Sequence, residues 1–345
     1  MNLDKIKEKV WKTQDYEFLC KNEHLGDNII LLGLGGSHAY GTSIETSDID
    51  VRGIALNRKQ EILTNENFEQ FVNEETDTTV YSFNKIITLL SNCNPNTIEI
   101  LGLKPEHYLY LSPVGKELLD NKKLFLSKRA VYSFGGYANQ QLRRLSNKAA
   151  RLVGQSENEQ YILKTIEHAK YDFKEKYFDV PDDSIHLYTD KAIQEDYDTE
   201  IFMDINLHHY PLRDWKSMWA EMNNMVKSYA KVGKRNEKAI EHGKLGKHMM
   251  HLIRLYMMCL DILENEKIET FRDKEHDLLM DIRNGKYLDG NRQPIPEFFE
   301  MVDEYEKRLD YAKDNTSLPD NPDYKYINDF VASVNERVVR GETKI

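Results

Sequence analysis

The residues from Gly35 to Gly53 read GGSHAYGTSIETSDIDVRG and join a glycine turn to two aspartates placed one residue apart. Before them, the short apolar run from Asn28 to Gly33 is typical of a buried strand that enters a tight turn. After them, apolar and polar residues alternate from Ile49 to Leu56, as in a strand with one buried face. The sequence therefore predicts two strands joined by a loop that carries polar side chains.

The two aspartates of this loop, Asp48 and Asp50, are candidate metal ligands. Residues i and i+2 of a strand point to the same face, so their carboxylates are expected to lie together. Two like charges at close range are costly unless a cation lies between them. Carboxylate oxygens suit Mg²⁺, which binds through one or two carboxylates plus substrate phosphates. The alternative is a solvated strand edge.

The glycine turn supplies a candidate phosphate site. Gly36 has no Cβ, so backbone N–H groups can approach a phosphate closely, and Ser37 can offer its hydroxyl near the start of a short helix. A phosphate site beside a carboxylate metal site is what nucleotidyl transfer requires. Other phosphate loops fit less well, because Thr42 stands where a Walker A loop has lysine and His38 where a dinucleotide fingerprint has its last glycine.

The pattern Gly-Ser, ten residues, Asp-x-Asp resembles the signature of the DNA polymerase beta-like nucleotidyltransferase superfamily. Its surroundings are similar to one branch, the RNA repair pathway polymerase-beta family (RlaP-type). The further pieces that carry this resemblance are Tyr40-Gly41, Ser47, Arg52-Gly53, Asn94–Leu101, Phe134–Leu142, Lys247–Leu255, Ile282–Gly285 and Ser317–Asp320. Together they are spread over nearly the whole chain.

The resemblance implies a third catalytic and metal-binding carboxylate on the next strand. Asp77, at the start of the strand expected over 78–83, is the choice, with Glu75 and Glu99 as alternatives. The family also implies two divalent ions, Mg²⁺ or Mn²⁺, an NTP substrate such as ATP, and an RNA end, such as that of a tRNA, as acceptor. Ser47 joins Gly36 and Ser37 in the expected nucleotide-binding set.

Beyond about residue 110 the chain is expected to be almost entirely helical. Apolar residues at three- and four-residue spacing predict helices over 215–229, 245–263, 274–283, 296–312 and 324–339. A helix is also predicted over residues 1–24. Strands gather early and helices late, so we expect an α+β fold: a polymerase beta-type catalytic domain with a small mixed sheet over residues 1–120, then a helical substrate-binding domain over 121–345.

Composition narrows the class of protein. The 345 residues are 40% hydrophobic and 30% charged, as in ordinary globular proteins, and three dispersed cysteines support neither disulfides nor a zinc ribbon. The first residues show no secretory signal, and no uncharged apolar run reaches membrane-spanning length, which predicts a cytoplasmic protein without membrane contact. The formal net charge of −11 argues against bulk coating of nucleic acid.

Basic side chains later in the chain are candidate substrate contacts. Residues 122–151 contain no acidic residue, and Arg143 and Arg144 lie there on a predicted helix. Lys247, His251 and Arg254 share one predicted helix face. We expect Arg143, Arg144, Lys247 and Arg254 to contact the triphosphate or the acceptor, although plain surface or core roles are the alternative; His248 and His251 receive no firm role.

Three functions compete on this evidence. The first is transfer of a nucleoside monophosphate from an NTP to an RNA end in RNA repair, with release of pyrophosphate. The second is an adenylyltransferase that modifies a protein or a small molecule through the same site. The third is a non-catalytic, antitoxin-like binding module, which intact Asp48 and Asp50 disfavour. The oligomeric state is not indicated by the sequence.

Overall fold

A computed structural model describes residues 3–135, 180–181, 184–191, 199–223, 245–290 and 294–343, with the single residues Ala138, Leu163, Phe173, Tyr177 and Ile193. The chain divides into two compact units. The first consists of Met1–Asn139, Met250–Asn284 and Glu300–Ile345, and the second of Gln140–Met249 and Gly285–Phe299. The predicted division at residue 120 stays a prediction.

The first unit is built on a five-stranded mixed sheet. Its strands are β1 (Ile29–Leu34), β2 (Val51–Ala55), β3 (Gln70–Asn73), β4 (Thr78–Ser82) and β5 (Tyr108–Leu111). Their order across the sheet is β3-β4-β2-β1-β5. β2 and β4 run parallel, and the other neighbours run antiparallel. β1 and β2 are thus both inner strands of the sheet. The loop between them connects the end of β1 to the start of β2.

Helices surround this sheet and fill the later part of the chain. The N-terminal ones are α1 (Leu3–Lys12), α2 (Phe18–Lys21), α3 (Gly36–Tyr40), α4 (Lys59–Leu63), α5 (Phe83–Ser91), α6 (Pro95–Ile98) and α7 (Pro113–Asp120). The later ones are Leu245–Asn265, His276–Arg283, Pro296–Asn315 and Tyr324–Arg340, and residues 129–135 and 212–223 are also helical. Single 3-10 turns cover Gln14–Tyr16, Gly26–Asn28, Glu99–Gly102, Pro105–His107 and Lys122–Phe125.

The core of the first unit follows from its strand sequences. Every residue of β1 is buried, as its unbroken apolar run requires of a strand covered on both faces. Ser82 caps α5 by accepting a hydrogen bond from the backbone N–H of Lys85, which directs Phe83 inward. Phe83 meets Phe330 of the C-terminal helix edge-on, with ring centroids 5.9 Å apart. The last helix, Tyr324–Arg340, therefore packs against α5.

The α+β fold class is confirmed: a small mixed sheet lies in the N-terminal region and many helices follow. The helix predicted over residues 1–24 is broken, because Thr13 is extended and α1 ends before it. β3 and β5 were not predicted. Both are four-residue strands whose alternation is too short to stand out, and only pairing with β4 and β1 makes them strands.

The second unit contains an antiparallel hairpin, which was not predicted in a region expected to be almost entirely helical. Its strands are β6 (Ile185–Lys191) and β7 (Thr199–Ile205). The buried residues Phe173, Ile185, Met218 and Met222 form a separate core there. Both strands are rich in β-branched and aromatic residues, so the signal was present in the sequence. Among the described residues, no helix combines the length and apolar character needed to cross a membrane.

Candidate active site

The candidate site lies on the segment between β1 and β2, residues 35–50, which we call the motif loop. The backbone N–H of Gly35 donates to the carbonyl of Asp50 at 2.8 Å. This bond extends the β1–β2 pairing by one residue, because Leu34 already pairs with Val51. The two ends of the motif loop, and with them the glycine turn and the second aspartate, are therefore held side by side.

Gly36 and Asp50 are in direct contact. Gly36 has a φ of 52°, in the left-handed region, and a Cβ built on it would lie 1.7 Å from Oδ2 of Asp50. No other residue type fits, both for backbone conformation and for space. The next residue, Ser37, is buried at 8% exposure in the first turn of α3. The glycine therefore brings the backbone of the turn against a carboxylate.

Asp48 and Asp50 immediately precede β2, which begins at Val51 rather than at the predicted Ile49. Asp48 is exposed and Asp50 is half-buried, while Ile49 between them is buried. A Cβ on Gly35 would lie 3.3 Å from Cβ of Asp50 and 3.0 Å from Cγ of Arg52. Asp50 and Arg52 thus flank the same glycine, in agreement with the alternation seen in the sequence.

Asp77 stands beside Asp50 at the start of the neighbouring parallel strand. Val51 pairs with Thr78, and the backbone N–H of Val51 donates to the carbonyl of Asp77 at 3.2 Å. The guanidinium of Arg52 donates to the Asp77 carbonyl at 2.6 Å and to its carboxylate at 3.0 Å. The Asp77 side chain keeps 57% of its surface exposed, and its φ of 43° is left-handed.

Tyr16 is a buried side chain whose pKa responds to the charges of these carboxylates. It is 3% exposed and belongs to the core beneath the sheet. Burial raises the pKa of Tyr16, and the charges of Asp15, Asp50 and Asp77 raise it further. Asp50 and Asp77 therefore act on the same buried phenol, as two carboxylates on adjacent strand ends would.

The rest of the motif loop is held by local bonds. Oγ of Ser47 accepts from the backbone N–H of Ile44 at 2.8 Å, and the N–H of Ser47 donates to the Ile44 carbonyl at 2.9 Å. Ser47 thus closes a turn, and its predicted contact with nucleotide stays untested. His38 is buried in α3, and burial lowers its pKa, while a hydrogen bond to the backbone of Ser47 acts in the opposite direction.

The alternatives for the third carboxylate differ in their surroundings. Glu75 is exposed in the turn between β3 and β4. Glu99 is 6% exposed, and its carboxylate is bonded to Tyr40 and to Arg254. Of these three acids, only Asp77 is hydrogen-bonded through its backbone to β2, the strand that begins directly after Asp50.

The predicted basic contacts are placed as follows. Arg143 and Arg144 lie outside the described residues. Lys247 is exposed and belongs to the second unit. Arg254 belongs to the first unit, is 1% exposed, and contacts Glu99, Tyr40, Met258 and His251. Contact of these residues with nucleotide stays a prediction.

The donor set of the motif loop fits a hard divalent cation. The described residues include no group of three or more His, Cys, Asp and Glu arranged to hold a metal ion by themselves. Mg²⁺ does not require one, because it commonly binds through one or two carboxylates together with substrate phosphates. Asp48 and Asp50 of the motif loop, and Asp77 on the adjacent strand end, carry oxygen donors of the kind that Mg²⁺ prefers, and Gly36 beside Asp50 is partly exposed.

Two sets of residues around the site were not predicted to act there. Arg52 was noted only as part of the motif, although its place two residues after Asp50 signals the shared face. Thr270, Phe271, Arg272 and Arg283 all contact the motif loop or its support, as described below. They lie more than two hundred residues from the loop, and no local sequence pattern indicates that contact.

Residues 7–166 match the model of a family described as RlaP, the RNA repair pathway DNA polymerase beta family. The resemblance predicted from the motif is thereby confirmed over this range, which includes the whole sheet of the first unit. The family's description implies a polymerase beta-like nucleotidyltransferase that acts in RNA repair, and in general nucleotide and RNA substrates. No curated protein and no solved structure matches the chain significantly.

Proposed function

From the match of residues 7–166 to the RNA repair pathway DNA polymerase beta family, we propose that this protein transfers a nucleoside monophosphate from an NTP to a hydroxyl at an RNA end, releasing pyrophosphate. ATP is the proposed donor and a tRNA end the proposed acceptor, in the cytoplasm. The observation that carries the proposal is the contact of the Asp50 carboxylate with the turn at Gly36, with Asp77 on the adjacent strand.

In this proposal Asp48, Asp50 and Asp77 hold the divalent ions, and the backbone at Gly36 with Ser37 receives the triphosphate. Two such ions, Mg²⁺ or Mn²⁺, would neutralise charge on the transferred phosphoryl group and lower the pKa of the attacking hydroxyl. The contact between Gly36 and Asp50 keeps phosphate and metal ligands at a short, fixed separation. Arg52 orients Asp77 through its carbonyl and its carboxylate.

Acceptor binding is proposed to involve Arg143, Arg144 and Lys247, because basic side chains provide the phosphate contacts of nucleic-acid ends. Charge-assisted contacts of this kind weaken as salt rises. The alternative acceptors, a protein or a small hydroxyl compound, use the same catalytic groups, so only the labelled product separates them.

The test is to incubate the purified chain with each α-labelled NTP, Mg²⁺ or Mn²⁺, and separate pools of tRNA, protein and small hydroxyl compounds. Label on RNA that depends on a divalent ion supports the proposal. Label on protein or on a small molecule would show that the acceptor is not RNA, while the proposed nucleotidyl transfer reaction would stand. The Asp48→Asn, Asp50→Asn double variant is the control. Labelling by that variant equal to that of the wild type would contradict the assignment of Asp48 and Asp50 as metal ligands.

A further inference from the structure

Tyr40, the last residue of α3, is held by two buried charged side chains. Its hydroxyl donates to Oε2 of Glu99 at 2.5 Å. The guanidinium of Arg254 lies 3.5 Å from the centre of its ring, and an Arg254 N–H reaches the same Glu99 oxygen at 3.4 Å. Relative exposures are 8% for Tyr40, 6% for Glu99 and 1% for Arg254. We call these three residues the buried triad.

Burial and the contacts within the triad act on the pKa values of its members. Burial raises the pKa of Tyr40, so its hydroxyl stays protonated and donates. Burial also raises the pKa of Glu99, while Arg254 and the Tyr40 hydroxyl oppose the rise by stabilising the carboxylate. A buried ion pair is strongly disfavoured unless further hydrogen bonds complete it. Here the Tyr40 hydroxyl donates to the Glu99 carboxylate, and Nη2 of Arg254 lies 2.9 Å from Nδ1 of His251, while Nε of Arg254 has no hydrogen-bond partner among the described residues.

Three successive residues of a segment distant in sequence, Thr270 to Arg272, contact Glu99, Gly41 and Tyr40 respectively. Oγ1 of Thr270 donates to the carbonyl of Glu99 at 2.7 Å. The ring of Phe271 leaves no room beside Gly41, where an added Cβ would lie 2.6 Å from its edge. The backbone N–H of Arg272 donates to the carbonyl of Tyr40 at 3.1 Å.

A fourth residue of this part of the chain reaches the loop itself. The guanidinium of Arg283 donates to the carbonyl of Thr42 at 2.5 Å. The carbonyls of Tyr40 and Thr42 are therefore both taken by residues beyond position 270. The part of the motif loop that follows α3 is anchored on side chains and on backbone, just ahead of Asp48 and Asp50.

We propose that the buried triad of Tyr40, Glu99 and Arg254 positions the motif loop for catalysis, with Arg254 acting through Tyr40 and without touching substrate. The consequence for catalysis rests on the proposed function. Removing a triad contact loosens the loop that carries Asp48 and Asp50, so the catalytic rate constant falls while nucleotide affinity changes little. A group that contacted the nucleotide directly would instead alter affinity.

The test compares two identical chemical changes in the full chain, Tyr40→Phe and Tyr256→Phe. Tyr256 is the matched control, because its buried hydroxyl also donates to a carboxylate, that of Glu306, at 2.7 Å. Amide hydrogen exchange reads the local opening of the motif loop through the backbone N–H groups of Gly35 and Thr42, which are bonded to Asp50 and Ser37.

In Tyr40→Phe we expect exchange at these two amides to accelerate at least about tenfold, as loss of a hydrogen bond to a charged group implies. In Tyr256→Phe the same amides should stay within about twofold of the wild type. Equal acceleration in both variants, or none in Tyr40→Phe, would overturn the positioning role. Arg254→Lys keeps the charge and loses the planar stack on Tyr40, so it should resemble Tyr40→Phe.

Nucleotidyl transfer by the same variants supplies the second measurement. We expect kcat to fall about tenfold or more in Tyr40→Phe with KM within about twofold, and the control to match wild type. A rise in KM with unchanged kcat would overturn an indirect role. If wild-type protein transfers no nucleotide to any acceptor, the proposed function fails, whereas the exchange result still decides whether the triad positions the loop.

Discussion

Oδ2 of Asp50 lies 1.7 Å from the position that a Cβ would take on Gly36. A glycine with a left-handed backbone and a carboxylate at a strand start are thus mutually dependent. The absence of a Cβ on Gly36 leaves room for the Asp50 carboxylate. Any larger residue at position 36 would require that carboxylate or the turn to shift. Since a shift of about 1 Å in a catalytic group can cost about a hundredfold in rate, we expect the proposed site to be sensitive to any side chain added at position 36.

We expect Gly36→Ala to lower nucleotidyl transfer at least about a hundredfold, because the new methyl group displaces Asp50. Gly341→Ala is the matched control: Gly341 also has a left-handed φ, 72°, but a Cβ there meets nothing within 4 Å. The control should lose only the backbone cost, about 1–2 kcal/mol of unfolding free energy, and keep its activity. Activity and urea unfolding measure both, and an active Gly36→Ala enzyme would contradict the assigned geometry.

Asp48→Asn and Asp50→Asn should each reduce transfer at least about a hundredfold while the far-ultraviolet circular dichroism spectrum stays that of the wild type. Removing charge leaves the oxygen ligand but weakens its attraction for a divalent cation. Glu45→Gln makes the same charge change on an exposed side chain of the same loop and should leave activity within about twofold. Loss of activity in Glu45→Gln to the same degree would point to net charge instead of metal ligation.

The Asp77→Asn variant distinguishes a catalytic role of Asp77 from the effect of its ion pair with Arg52. The Asp77 side chain is 57% exposed, so its pairing with Arg52 contributes at most about 1 kcal/mol to stability. If Asp77 is the third carboxylate, its variant loses at least about tenfold in activity with little change in unfolding free energy. Arg52→Gln breaks the same pair and keeps the carboxylate, so it should lose less. Equal losses in both variants would assign the effect to the pair.

The stability of the protein should fall below about pH 6.5, the ordinary pKa of histidine. Burial lowers the pKa of His38 and of His107. The unfolded chain therefore binds protons that the folded chain excludes, so this stabilisation is complete above about pH 6.5 and is lost as pH falls toward the folded pKa values. Each histidine contributes a slope of at most about 1.4 kcal/mol per pH unit.

Urea unfolding between about pH 7.5 and about pH 5 measures that slope. The His38→Gln, His107→Gln double variant should show a smaller slope than the wild type, even if its stability at neutral pH is lower. Exposed His208 offers the control His208→Gln, whose slope should equal that of the wild type. A double variant with an unchanged slope would show that other groups cause the acid sensitivity.

Local sequence patterns indicated the centre of the fold because they depend on few residues. The apolar run of β1, the alternation through β2 and the β-branched run of β4 each reflect burial of a single strand. Strands β3 and β5 escaped prediction, since four residues carry little periodicity and pairing partners decide their conformation. The hairpin of β6 and β7 was missed although its residues favour strands, because helical spacing dominated the surrounding sequence.

The sequence by itself determined the chemistry of the motif loop: a glycine turn, a serine and two aspartates at fixed spacing, joined to adjacent strands by short-range geometry. Only the tertiary structure decided what supports that loop. Glu99 was an alternative for the third carboxylate and Arg254 an expected nucleotide contact; those roles stay predictions, and the tertiary structure adds that both side chains are buried against Tyr40. Contacts across more than a hundred and fifty residues arise from packing of whole elements, for which no periodic or local signal exists in the chain.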